Sequence, residues 1–257
     1  MMDPSPPYEH LRALTDHNGI FEHALLATPR REHGYCVDDV ARALIVVARE
    51  RSTSLRTLAF AALGAAEIVR VRADDHIART LLREYIAAMP ALPDATWLWP
   101  ERRLSYGNAS IAEALIAAGN AVEDADASAK GLRMLEFLLS VETSDERFSV
   151  TGTAGRGPGE KEPSFDQQPL ELAALADACA TAYAVTGDPV WLPPISLAWQ
   201  WFTGLNDSGT VMFDDQTGAG FDGLEHDGRN ENRGAESTLA ALSTYQQALR
   251  HRVLTAT

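Results

Sequence analysis

Two kinds of apolar pattern alternate along this chain. In SLRTLAFAALGAAEIVRVR, residues Leu55, Leu58, Ala62, Ala65, Ala66 and Val69 recur at three- and four-residue steps, with charges opposite. Leu132, Leu135, Leu138 and Leu139 do the same in ASAKGLRMLEFLLSVE. A single apolar stripe with a polar back marks a helix on the outside of a core. The segments DDVARALIVVARE, NASIAEALIAAGN, DQQPLELAALADACATAYAV and AESTLAALSTYQQAL differ: past the first turn they are apolar or small on most faces. A helix apolar all round is surrounded by other elements. The pattern predicts helices over residues 38–51, 54–71, 75–89, 108–122, 127–141, 166–186, 189–204 and 235–250.

Buried and amphipathic helices in alternation, joined in turn by short and long connections, are what helical hairpins packed in a ring produce. The expectation is an all-α fold: one α/α toroid-like domain over residues 1–257, with inner helices ringed by outer ones and six hairpins or fewer. A stack of solenoid hairpins is the alternative, but no repeat of fixed period supports it. The stretches 145–165 and 207–234 are rich in Gly, Asp and Asn. They read as long loops with room for a short β-hairpin, and loops of that length in a compact domain are commonly functional or disordered.

Charge narrows the partners. The net charge of −14 argues against nucleic acid, because phosphate binding needs clustered Lys and Arg. No apolar run reaches the roughly 18–20 residues of a membrane span, and MMDPSPPYEH has neither a basic nor an apolar leader segment. A cytoplasmic protein with no membrane partner is expected. Cys36 and Cys179 lie in apolar helical contexts, which predicts buried free thiols.

The buried segments carry their polar residues at their N-terminal ends. The first has His33, Tyr35, Asp38, Asp39 and Arg42. The second follows Trp97, Trp99, Glu101 and Tyr106 and starts near Asn108. The third starts with Asp166, Gln167, Gln168 and Pro169, with Glu171 one turn in. The fourth follows Asp222, Asn230 and Asn232 and starts near Glu236 and Ser237. Inner helices of a toroid run roughly parallel, so these ends should share one face. Asp, Asn and Ser at helix starts also serve as ordinary caps, and acids there suit the helix dipole. These ends, however, hold more polar residues than caps require, and Gln is not a preferred cap. Arg42, in an otherwise apolar helix, needs a buried partner.

These residue types suit a sugar, which needs planar hydrogen-bonding groups and aromatic faces. Glycoside hydrolysis typically needs two carboxyl groups flanking the bond. Asp39, Asp166 and Glu236 are the catalytic candidates, with Asp166 first choice for the base because a helix start stabilises its charge. His33, Tyr35, Asp38, Arg42, Trp97, Tyr106, Asn108, Gln167, Gln168, Glu171, Asp222, Asn230 and Asn232 are candidates for binding substrate, with Tyr35, Trp97 and Tyr106 the stacking surfaces. Glu171, one turn into an apolar helix, reads as the general acid or as a partner for Arg42. The glycines of TGTAGRGPGE follow no strand–turn–helix pattern, so a phosphate loop is not indicated. No Cys pair or HExxH spacing supports zinc. FDGLEHDGRNEN could offer calcium its carboxylates but lacks EF-hand spacing. No metal or cofactor is expected.

The blocks LTDHNGIFEHALLATPRREHGYCVDDVARAL, WLWPERRLSYGNASIAEALIAAG, FDQQPLELAALADA and FDGLEHDGRNENRGAESTLAAL together resemble a bacterial family found both as stand-alone proteins and fused behind glycosyltransferase domains. Its members are described as glycosyltransferases or glycosidase-related proteins. The resemblance covers most of the chain in order, and its second block is the loosest. It implies a six-hairpin α/α toroid and a glycan ligand, mannose-containing in some readings. Members of the family are longer, with an Asp/Arg/Trp-rich loop between the first two blocks, where this chain has only RVRADDHIARTLLREYIAAMPALPD. Two functions follow as expectations: a glycosidase-like enzyme using paired carboxylates, or a non-catalytic glycan- or partner-binding module of the same fold. A sugar epimerase, with His33 in its pocket, is a third.

Overall fold

A computed structural model describes residues 9–16, 19–21, 23–35, 54–92 and 96–254. Cys36, Asp38, Asp39, Arg42 and the helix expected over 38–51 lie outside the described residues. The chain divides into two compact units, residues 1–61 and 62–257.

The first unit holds α1 (Glu9–Ala13) and two small hairpins, β1 (Thr15–Asp16) with β2 (Gly19–Ile20) and β3 (Ala24–Leu25) with β4 (Thr28–Pro29). A single 3₁₀ turn, Arg31–His33, follows. Phe21 bridges Tyr35, their rings stacked at 4.8 Å, and the Arg31 guanidinium lies 4.5 Å above the Phe21 ring. Helix α2 (Leu55–Val71) begins in this unit and runs into the second.

In the second unit follow α3 (His76–Ala88), α4 (Asn108–Val122), α5 (Ala125–Glu142), α6 (Pro169–Thr186), α7 (Leu192–Phe202) and α8 (Ala235–Arg250). Local chemistry sets their ends. Asp75 and Asp124 cap α3 and α5 by accepting from Ala78 and Ala127 at 3.0 Å. Pro169 opens α6, where its missing N–H costs nothing. Gly187, at φ 68°, closes α6 by donating to the Tyr183 carbonyl. Helices α4 and α5 approach backbone to backbone: a Cβ added at Gly131 would lie 2.9 Å from the Ile116 nitrogen.

Helix α4 packs on α3, α5 and α6, and α6 packs on α7 and α8. Thus α4, α6 and α8 form an inner row, with α3, α5 and α7 against its outer side. The expectation of all-round burial holds for α4 and α6, which bury Ile111, Leu115, Ile116, Leu172, Leu175 and Cys179. Cys179 is a buried free thiol. Helix α8 departs from it: Ala240, Ala241, Thr244 and Ala248 are buried, but Leu239, Leu242, Tyr245 and Leu249 are exposed.

The all-α toroid is not what the structure shows. Among the described residues no ring closes, and the class is mixed: eight helices stand beside five two-stranded antiparallel sheets. The stretches expected as loops with room for a short β-hairpin carry hairpins, the first beginning just ahead of residue 145. The second-unit sheets are β5 (Thr143–Ser144) with β6 (Arg147–Phe148), β7 (Phe213–Asp214) with β8 (Ala219–Gly220), and β9 (Gly223–Glu225) with β10 (Gly228–Asn230). The β5–β6 turn places Asp145 and Glu146 at φ 48° and 63°, a tight-turn geometry that Gly or Asn normally signals. Residues 166–168, expected as helix, are extended. The residue before a proline is pushed out of the helical region, and Gln167 exchanges backbone hydrogen bonds with Leu224 at 3.0 and 2.9 Å. Among the described residues, no helix is long and apolar enough to cross a membrane.

Candidate functional site

Two long-range contacts gather the helix starts of the second unit. Glu171, in the first turn of α6 and buried, accepts from the backbone N–H groups of Gly107 at 2.5 Å and Asn108 at 3.3 Å. That binds the start of α6 to the start of α4. Asp222 accepts from Gly234, the residue before α8, at 2.6 Å. A Cβ added to neighbouring Gly223 would lie 3.4 Å from the Cβ of Asp166, so the approach to α8 meets the approach to α6.

Between the starts of α4 and α6 lies a cleft of about 200 Å³, lined by Ser105, Tyr106, Thr151, Gly152, Thr153, Gln168 and Glu171. Asp166 is not among the lining residues, but its carbonyl accepts from one of them, Thr153, at 3.0 Å. Its side chain is exposed and makes no hydrogen bond among the described residues. It does not open the helix, as expected, but precedes Pro169 by three residues. Gln168 occupies the cap position of α6 without a capping side-chain bond, which leaves its amide facing the cleft. Tyr106 is 55% exposed and lines the cleft.

Other expected binding residues are occupied by the fold. Gln167 is fully buried; its amide donates to Asp207 at 2.7 Å and accepts from the Trp201 indole at 3.2 Å. Asn108 closes the turn before α4 through Ser105, accepting from its N–H at 3.0 Å. Asn230 accepts from the Asn232 N–H at 3.0 Å, a local turn between β10 and α8. Trp97 is buried, donates to the Glu101 carbonyl at 2.7 Å, and meets Phe137 edge-on; it does not line this cleft. Glu236 is exposed in the first turn of α8. In the first unit, His33 stacks on His23 at 4.9 Å and the Tyr35 hydroxyl donates to Asp16 at 2.9 Å. Asp38, Asp39 and Arg42 lie outside the described residues.

A second cavity, about 670 Å³, opens along the C-terminal halves of the inner helices. Glu113 of α4, Asp177 and Thr181 of α6, and Gln247 and His251 at the end of α8 line it. Thr181 donates to Glu113 at 3.0 Å and Gln247 to Asp177 at 2.6 Å. Burial, and then the Asp177 carboxylate, push the Glu113 carboxyl up to about 8; the Thr181 bond opposes them. Burial raises Asp177 as well. Neither residue is among the candidates named from sequence, although each is a lone charge within an otherwise apolar stretch, IAEALIAAG and LAALADACATA.

The raised Glu113 has a consequence for stability. The folded chain holds the Glu113 proton more tightly than the unfolded chain, whose glutamates titrate near about 4.3. The stabilisation is complete below that pH and is lost as pH rises through about 8. Burial also raises Glu142, to about 6, so its share of the loss falls mainly below that pH. Between pH 6 and 8 unfolding free energy should fall by about 1–3 kcal/mol, and Glu113→Gln should flatten that slope. Urea unfolding across this range reads the effect; an unchanged slope in the variant would refute it.

No protein-family model matches the chain, and no curated protein matches its sequence. Among the described residues, no three His, Cys, Asp or Glu side chains gather to hold a metal ion.

Proposed function

We propose that the protein is carbohydrate-active, and that the cleft at the helix starts binds an oligosaccharide and hydrolyses a glycosidic bond. The observation that supports this best is the make-up of the cleft. Hydroxyls from Ser105 and Thr153, the Gln168 amide and the Tyr106 ring surround a small space, and the Asp166 carbonyl accepts from Thr153, one of its lining residues. Hydroxyls and an amide can exchange hydrogen bonds with sugar hydroxyls, and a tyrosine face covers a sugar's C–H surface. Asp166 is the proposed base that activates water, with Glu236 as the partner carboxyl. Two such groups at suitable separation are what hydrolysis requires.

A second reading, a glycan-binding module without catalysis, draws support from Glu171. The carboxyl best desolvated for a general acid is instead committed to the Gly107 and Asn108 amides. Calorimetric titration and product analysis with an oligosaccharide panel, mannose-containing glycans first, separate the two. Cleavage supports the enzyme, and saturable binding without cleavage supports the module. If no glycan binds, both fail. Tyr106→Ala should weaken glycan binding by about 0.5–1.5 kcal/mol, or about two- to tenfold.

A further inference from the structure

The loop that carries Arg156 is built around a cation whose donors are only partly used. Arg156 is pinned by its backbone, which exchanges hydrogen bonds with Leu104 at 3.0 and 2.8 Å, and it is only 3% exposed. One terminal nitrogen, Nη1, donates to the Val141 carbonyl at 2.7 Å. The other two, Nε and Nη2, are buried without a hydrogen-bond partner. Ser149, 2% exposed, likewise has a buried hydroxyl with no partner. Both residues line one cavity of about 450 Å³, whose wall includes Trp97 and Phe137 and whose rim includes Lys161.

A buried guanidinium with idle donors is costly; Glu142 and Glu160, the latter also lining the cavity, share its field, but neither accepts a hydrogen bond from Nε or Nη2. Glu142 is buried, but its carboxylate is held by the Thr151 N–H at 2.7 Å and the Thr151 hydroxyl at 2.5 Å. Glu160 takes both terminal nitrogens of Arg103, at 2.7 and 2.9 Å, and the Gly157 N–H at 2.9 Å. Nε and Nη2 share one edge of the guanidinium plane. Two parallel N–H donors on such an edge match the two oxygens of a carboxylate or phosphate group.

We propose that this cavity is a binding site for a small organic oxyanion, a carboxylate or a phosphate monoester. Arg156 grips the anion side-on, Ser149 donates a further hydrogen bond, and the organic part lies along Trp97 and Phe137. The site is separate from the glycan cleft, and the inference does not rest on that reading.

The test titrates the whole chain with inorganic phosphate, acetate and glycerol, following heat and the Trp97 indole N–H signal. At least one anion should bind at a single saturable site and move that signal, while glycerol does neither. Phosphate alone binding assigns the phosphate monoester, acetate alone the carboxylate, and both the shared oxyanion chemistry. Arg156→Gln and Ser149→Ala should each weaken binding, Arg156→Gln by about tenfold or more, whereas Arg133→Gln on α5 should not. If Arg156→Gln fails to fold, Ser149→Ala and the Trp97 signal carry the test. Absence of saturable anion binding by the natural chain, or equal binding by the Ser149 variant with Trp97 unmoved, overturns the proposal.

Discussion

Asp166→Asn should lower turnover on a cleaved oligosaccharide by about 10²–10⁴-fold, the usual contribution of a general base, with little change in KM or stability. The helix-start reason for choosing Asp166 does not hold in the structure, and the proposal rests on other ground. Asp166 gains nothing from a helix start, since α6 begins at Pro169. Its claim is positional: an exposed carboxylate without hydrogen bonds among the described residues, on a residue whose carbonyl binds Thr153 of the cleft. Asn preserves shape and removes the ability to take a proton from water. Because the side chain is not part of the packing, lost turnover would report chemistry rather than unfolding. Near-natural turnover in the variant would remove Asp166 from the mechanism. Pairing it with Glu236→Gln adds information: residues that act as a unit give non-additive losses, whereas an unrelated surface glutamate contributes nothing.

The helices were legible because their signals are local. Asp75 and Asp124 before apolar periods, Pro169 at a first turn and Gly187 at an end are short-range chemistry. The predicted span 108–122 coincides with α4, and 235–250 with α8. What failed depends on distant partners. Residues 166–168 are extended because Leu224, far along the chain, pairs with Gln167. Pro169 bars only Gln168 from the helix, and no pattern around DQQP announces the pairing with Leu224. The sequence allows a short hairpin in 145–165, but its place at 143–148 is not legible because its turn uses Asp145 and Glu146 rather than Gly or Asn. Ring closure is a property of the whole packing, which alternation of buried and amphipathic helices cannot specify. For the site, residue type at a helix start said where polar groups gather. It could not separate Gln168, which faces the cleft, from Gln167, which is spent on Asp207 and Trp201.

Glu171→Ala should destabilise the fold by about 3–4 kcal/mol, the scale of two buried hydrogen bonds to a charged group. The sequence offered Glu171 as a general acid or as a partner for Arg42, and the structure adds a different task. Its carboxylate reaches from α6 to the Gly107 and Asn108 N–H groups. Those groups open α4 and have no carbonyl one turn back to bind. Gly107 has no side chain to cap them, and the Asn108 amide is turned toward Ser105. A negative charge at that end also suits the dipole of α4. Alanine leaves both N–H groups buried and unpaired. Glu171→Gln keeps one accepting oxygen but presents an NH₂ group to the second amide, so it should lose roughly half as much. Urea unfolding of the three proteins reads the series, and hydrogen exchange at the start of α4 should locate the loss. A Glu171→Ala protein of natural stability that no longer binds glycan would show that the residue serves the ligand and not the helix.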